Sequence, residues 1–219
     1  MSAGGYFGVQ AGGRREMTVS VLISAVLQVT LFTSIPFLVW LILERKKESF
    51  FKWLGFKAPV IEKKAKFCVL FAGSFILFTI SAMFVHTFFI GKDTVAASQF
   101  YGMGVAGIIP ALLYAFIQTG LSEEIVFRGF IGKRAIKAWG FKAGNSVQAL
   151  LFGLVHGVMF FPTAGIFAAL ITVVFTGIVG AVMGYLNEKT AGGSILPSWM
   201  LHGLANLASA VLMMFGVIS

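Results

Sequence analysis

The segment "GLSEEIVFRGF", residues 120–130, places two adjacent carboxylates and an arginine inside an otherwise apolar run. Each such group costs about 2.5–3.5 kcal/mol at the centre of a membrane helix. Glu124 and Arg128 are four residues apart, so on a helix they share a face and can neutralise each other as a buried pair. Glu123 points about 100° away around the same helix. It is left without that partner, which suits a general base.

Three further polar side chains interrupt later apolar runs: His156, His202 and Asn206. At about 1.5 Å per residue, counted from the lysine-rich ends of the helices, the polar groups of all three runs lie about 10 to 20 Å deep. Ionisable groups that share one depth in a membrane indicate a functional site. A carboxylate base, a histidine that orients water, and two oxyanion donors, His202 and Asn206, together fit acyl hydrolysis. Gly203, beside them, is expected to leave room for a substrate backbone.

Each of these residues also has a purely structural interpretation. Glu124 with Arg128 fits a buried ion pair, a lone His156 fits a hydrogen-bonded core residue, and His202 with Asn206 fits a polar contact between helices. A metal alternative exists as well, because Glu123, His156 and His202 are three suitable zinc ligands that leave a position for water. The G-x-S-x-G and H-E-x-x-H motifs are absent, and Ser122 has no histidine placed beside it by sequence. We expect no cofactor, with zinc as the alternative.

The elements that must position these residues are apolar helices. Of the 219 residues, 58% are hydrophobic and 11% are charged, which is far from the composition of soluble domains. In lipid, an α-helix satisfies its backbone hydrogen-bonding groups within the segment. We therefore predict an all-α, polytopic membrane protein with a buried polar site in the cytosolic half. Residues 1–219 form one integral-membrane domain, with the catalytic motifs in 104–219. About six transmembrane helices are predicted: Val19–Leu43, Phe67–Ile90, Gly104–Lys133, Ser146–Phe161, Ala164–Leu186 and Ile195–Ile218.

Charge predicts the orientation and the partners. The loop 44–66 holds eight lysines and arginines whereas the loop 91–103 holds only Lys92, so the first loop is predicted to be cytosolic. Within it, "ESFFKWLGFK" is either an amphipathic segment at the headgroup layer or a simple connector. The net charge of +9 is explained by these loops and by attraction to the lipid bilayer, so we predict no nucleic-acid partner. The single cysteine, Cys68, excludes an internal disulfide and is expected to be a small buried hydrophobe.

At these residues the sequence closely resembles the CPBP, or Abi, family of intramembrane proteases, which includes type II CAAX prenyl endopeptidases and bacteriocin-processing or immunity proteins. "EEIVFR" matches the family's E-E-x-x-x-R motif, "FGLVH" matches F-x-x-x-H, and "HGLAN" matches H-x-x-x-N. The three motifs occur in family order on three separate spans.

The resemblance implies a glutamate-type intramembrane endopeptidase. In this interpretation Glu123 with His156 activates water, His202 and Asn206 stabilise the oxyanion, Arg128 fixes Glu124, and Phe152 shapes the pocket. The substrate would be a membrane-embedded or lipid-anchored peptide or protein, and the location a bacterial or archaeal plasma membrane. The alternatives are a zinc-dependent membrane protease and a non-catalytic protein for bacteriocin immunity or transport.

Overall fold

The computed structural model describes residues 3–90 and 96–217, and over these ranges the chain is helical and contains no β-strand. This confirms the all-α prediction. The first three helices are α1 (Ala3–Leu43), α2 (Phe50–Leu54) and α3 (Lys64–Val85), and the 3₁₀ turns Ala96–Phe100 and Gly104–Gly107 lead into the next.

The helical run Lys133–Tyr185 reverses direction twice, at Gly140 and at Gly165. Their φ angles, 76° and 79°, lie in the left-handed region that favours glycine. Beyond Gly140 the chain returns so closely that a Cβ on Gly144 would collide with the backbone of Ile136. Past the second reversal Val173 lies against Gly157 in the same way. We therefore divide the chain after residue 107 into α4 (108–139), α5 (141–164) and α6 (166–190), followed by α7 (Leu196–Met214).

Small residues let α5 and α6 pack at close range. A Cβ on Gly180 would lie 3.2 Å from Ala149 Cα, and one on Gly184 would overlap the Asn145 amide oxygen. Asn145 and Gln148 of α5 also donate to backbone carbonyls of α6, at Ala181 and Gly180. This contact fixes α5, and with it His156, against α6.

Three stretches of the described chain are long and apolar enough to cross a membrane: Arg15–Leu43, Lys64–Phe89 and Gly104–Thr190. The third contains α4, α5 and α6, so the count of six crossings stays a prediction. Large apolar side chains are exposed on the outer faces of the helices, among them Leu27, Leu31, Val69, Leu77 and Phe167. Cys68 is exposed on this surface too, so the prediction that it is buried was wrong. Such a surface is typical of a protein that faces lipid.

The lysine-rich end of the helices is covered by residues 50–60, which we call the basic cap. Trp53 and Leu54 of α2 are buried against Ile125 of α4, so α2 packs on the protein. The Arg134 guanidinium lies 3.8 Å from the Trp53 ring centroid and donates to its carbonyl oxygen. Next to α2, the Gly55 carbonyl accepts a hydrogen bond from Ile195 N–H at 3.0 Å. The basic cap thus joins the end of α4 to the start of α7.

Candidate active site

The local backbone of α4 differs from a regular α-helix where it carries the two glutamates. Ser122–Glu124 has α-helical hydrogen bonds, and it lies between two π-helical stretches, Leu113–Leu121 and Ile125–Gly132. π-Helical turns inside α-helices are frequently found at functional sites.

Glu124 is completely buried, and both of its carboxylate oxygens have partners. Oε1 lies 3.1 Å from Arg128 Nη1 and 3.2 Å from His202 Nδ1. Oε2 accepts a hydrogen bond from the Ser198 hydroxyl. The predicted pairing of Glu124 with Arg128 is therefore present. The carboxylate also connects α4 to two positions on α7.

Arg128 and Phe152 form the inner wall of the site. The Arg128 guanidinium lies 4.1 Å from the centroid of the Phe152 ring, and its Nη2 contacts the Met183 sulfur at 3.1 Å. On the other side the Phe152 ring centroid is 4.4 Å from that of His156. Phe152 thus separates the arginine from the histidine and orients the imidazole.

Glu123 faces the two histidines that the sequence analysis placed in the same layer. Its Oε2 lies 3.8 Å from His156 Nε2 and 3.7 Å from His202 Nε2. The oxygen is buried and has no hydrogen-bond partner among the residues that the structure describes. These separations exceed a direct hydrogen bond but suit a single bridging water. The structure therefore brings together side chains from α4, α5 and α7 around one point.

The protons on the two imidazoles follow from their other neighbours. His156 Nδ1 lies 2.8 Å from the Phe152 carbonyl oxygen, which can only accept, so Nδ1 carries the proton. His202 Nδ1 faces the Glu124 carboxylate, and the same argument applies. In the neutral imidazoles both Nε2 atoms are then acceptors, and both face Glu123. His202 becomes a donor at Nε2 only when both of its ring nitrogens carry protons.

Asn206 lies one turn further along α7 than His202. Its amide donates to Thr119 Oγ1 at 2.8 Å, and Thr119 is one turn before Glu123 on α4. The structure thus places Asn206 beside the face of α4 that carries Glu123, with a second amide proton not used by Thr119. The predicted set Glu123, His156, His202 and Asn206 lies in one region, as do the supporting residues.

Sequence reasoning missed Ser198 and Asn187, which support Glu124 from behind. Asn187 Nδ2 donates to Ser198 Oγ at 2.7 Å, and Ser198 N–H donates to Asn187 Oδ1 at 3.1 Å. One signal was available, because Ser198, His202 and Asn206 recur every four residues and so share a face of α7. Asn187 had no comparable signal, since an amide at the end of an apolar span is ordinary.

Gly203 does not leave space for a substrate. A Cβ at this position would overlap the ring of Phe116, so α7 approaches α4 with only an aromatic side chain between them. The Trp199 indole, on the same helix, donates to the Phe116 carbonyl at 2.7 Å. The expectation of an open wall at Gly203 was wrong, because the ring of the neighbouring helix fills it.

The geometry fits a metal ion only loosely. Zinc bonds of about 2.0–2.1 Å in a tetrahedron put neighbouring ligand atoms about 3.4 Å apart. The Glu123–histidine separations of 3.7 and 3.8 Å are wider. In the described ranges no group of three or more His, Cys, Asp or Glu residues is placed to hold a metal. Zinc therefore stays an alternative hypothesis.

Comparison with known proteins identifies the segment that carries this site. Residues 104–208 match the family model described as type II CAAX prenyl endopeptidase Rce1-like. The match confirms the resemblance predicted from the three motifs, and all seven predicted site residues lie within it. No curated protein and no solved structure gave a significant match to the chain.

Proposed function

We propose that this protein, through the CAAX-protease segment 104–208, is an intramembrane endopeptidase of the glutamate type. It hydrolyses a peptide bond of a membrane-embedded or lipid-anchored peptide or protein. The family match supports a peptidase acting on a membrane-associated peptide. The observation that carries the mechanism is the convergence of the unpartnered Glu123 Oε2 with His156 Nε2 and His202 Nε2.

Glu123 is the general base in this mechanism. A water molecule bound between its carboxylate and the His156 imidazole loses a proton to Glu123 as the water oxygen attacks the carbonyl carbon of the scissile bond. The tetrahedral intermediate then collapses, the C–N bond breaks, and the leaving amine takes the proton back from Glu123. The products are a new carboxyl terminus and a new amino terminus, and Glu123 is regenerated.

Asn206 and His202 stabilise the oxyanion of the intermediate. Asn206 offers its second amide proton, and His202 donates from Nε2 in its doubly protonated form. The Glu124 carboxylate, 3.2 Å from Nδ1, holds the imidazole in place for that contact. One donor of this type is worth about 10²–10³ in kcat in other acyl-transfer enzymes.

The proposed function includes an orientation of the helices in the membrane. Six helices cross a bacterial or archaeal plasma membrane, and the basic cap lies on the cytosolic side, where its lysines contact anionic lipid. The site then lies in the cytosolic half of the membrane. A substrate anchored in the bilayer would present its peptide bond at that depth.

The test is mass spectrometry of membrane peptides from cells that express the wild type, Glu123→Gln or Glu62→Gln. The amide keeps the shape of Glu123 but cannot take the proton, so a new peptide terminus should appear with the wild type and fall by at least about 10²-fold with Glu123→Gln. Glu62 is an exposed carboxylate in the loop 44–66 and serves as the matched control. Equal cleavage by both variants contradicts the glutamate mechanism.

Two alternatives predict different results. Zinc bound by one carboxylate and two imidazoles is the alternative mechanism. Purified protein that loses cleavage in excess chelator and regains it with zinc would establish it. Cells in which no terminus depends on the protein would instead indicate a non-catalytic role in immunity or transport.

A further inference from the structure

Asn187 and Ser198 form a reciprocal hydrogen-bonded pair behind the site. The Asn187 amide donates to Ser198 Oγ at 2.7 Å and its oxygen accepts from Ser198 N–H at 3.1 Å. Both residues are buried, with exposed fractions of 1% and 0%. Two bonds between the same two residues fix the position and the rotamer of the serine. The pair links the end of α6 to the first turn of α7.

This geometry determines where the Ser198 proton points. The hydroxyl has one proton, and its oxygen already accepts from Asn187. Two acceptors lie within reach, Glu124 Oε2 and the Ile195 carbonyl at 3.0 Å. A charge-assisted bond to a carboxylate is roughly twice as strong as one to a neutral carbonyl. The proton therefore goes to Glu124.

The orientation of Glu124 in turn determines the proton position on His202. With Oε2 held by Ser198, Oε1 faces both Arg128 Nη1 and His202 Nδ1. A carboxylate at Nδ1 keeps the proton on that nitrogen and leaves Nε2 toward Glu123. If the carboxylate turns away, the imidazole is free to place its single proton on Nε2 or to rotate.

We propose that Asn187 and Ser198 are positioning residues that, by holding the Glu124 carboxylate, fix the tautomer and orientation of His202. This inference rests on the proposed function for its catalytic consequence, but the His202 proton itself can be observed without any substrate. Neither residue touches the point between Glu123 and the two imidazoles. They act only through Glu124.

The first experiment measures cleavage of the peptide identified by mass spectrometry. Ser198→Ala should lower kcat about 10- to 100-fold, because Glu124 no longer holds the imidazole of His202 in the orientation that reaches the oxyanion, and should leave KM within about twofold. Ser194→Ala is the matched control, because Ser194 is equally buried in the same segment but donates to the Lys57 carbonyl instead. Asn187→Ala should give the same loss, and the double variant should lose no more than Ser198→Ala alone. Additive losses would contradict a shared route through Glu124.

The deciding experiment is nitrogen NMR of protein labelled with ¹⁵N-histidine. The chain has three histidines, and His202→Gln assigns the signal of interest. In the wild type at a pH where His202 is neutral we expect the proton on Nδ1, and in Ser198→Ala a mixture of the two tautomers; Ser194→Ala should match the wild type. An unchanged tautomer in Ser198→Ala overturns the proposal. If that variant does not fold, Asn187→Ala provides the same comparison.

The two experiments separate the proposals. If the His202 tautomer shifts in Ser198→Ala but the protein cleaves no peptide, the positioning role of Asn187 and Ser198 is supported and the proposed peptidase function is contradicted. If cleavage depends on Glu123 but the His202 tautomer is the same in Ser198→Ala and the wild type, the peptidase function is supported and the positioning role is contradicted.

Discussion

At the scale of single residues, the site depends on two adjacent carboxylates with opposite environments. Glu124 is held by an arginine, a serine and a histidine, whereas Glu123 Oε2 has no hydrogen-bond partner among the described residues. Enzymes assign different roles to neighbouring carboxyl groups in this way, by surrounding them differently. The pairing of Glu124 and Arg128 was predictable from their spacing. The contribution of Ser198 was not, because a serine one turn into a helix usually serves its own backbone.

Arg128 is expected to matter for stability as well as for activity. Arg128→Met removes the charge but keeps the length of the side chain, and it leaves Glu124 buried without its cation. Breaking a buried pair in this way costs about 3–5 kcal/mol, so the thermal midpoint in detergent should fall clearly below that of the wild type.

The double variant Glu124→Gln/Arg128→Met removes both charges and should recover part of the loss. Arg45→Met, in the exposed loop after α1, is the control and should unfold like the wild type. A midpoint for Arg128→Met equal to that of the wild type would show that the pair contributes nothing to folding.

At the scale of the elements, the helices and their order followed from the apolar runs, but their close contacts did not. The sequence predicted that a helix ends at Phe161 and the next begins at Ala164, and in the structure the chain reverses between α5 and α6 at Gly165. The preceding reversal at Gly140 lets α5 begin earlier than the predicted Ser146, since Gly144 packs on the backbone of α4. The π-helical turns around the glutamates, which pack against α1 and α7, also had no sequence signal.

Gly203 tests the contact between α4 and α7. Gly203→Ala puts a methyl group into the Phe116 ring, and we expect α7 to move away and to carry His202 and Asn206 with it. We expect overpacking to cost about 1–3 kcal/mol and cleavage to fall about 10²-fold, the scale set by a displacement of about 1 Å.

Phe116→Ala should partly restore both quantities in the Gly203→Ala background, because it removes the atoms that the new methyl group meets. Gly73→Ala is the control substitution: its helix, α3, is open at that position, with nothing within 4 Å of the added Cβ. Loss of activity in Gly203→Ala without rescue by Phe116→Ala would mean that the glycine has another role.

At the scale of the whole molecule, the sequence predicted a membrane protein from composition, and the apolar outer surface agrees with it. The number of membrane crossings and their direction are set by how the helices sit in the bilayer, and contacts within the protein do not determine them. The lysines of the loop 44–66, which includes the basic cap, are the physical basis for the predicted direction.

Because Cys68 is the single cysteine, the topology can be tested by labelling. In a Cys68→Ser background, Gln99→Cys should react with a membrane-impermeant maleimide in intact cells. Lys46→Cys, in the loop after α1 and also exposed, should react only after permeabilisation. The reverse pattern would place the basic cap outside the cell, and the active site with it.

The meeting of Glu123 Oε2 with the two Nε2 atoms also has a consequence for inhibitor chemistry. When both imidazoles are neutral, three lone pairs face one point, and among the described residues none donates a hydrogen bond to the Glu123 oxygen. A ligand that binds there must supply the hydrogens. Ammonium, amidine and geminal diol groups meet that requirement, whereas carboxylates and sulfones present only further lone pairs. Compounds against this site should therefore be ranked by the protons they can offer.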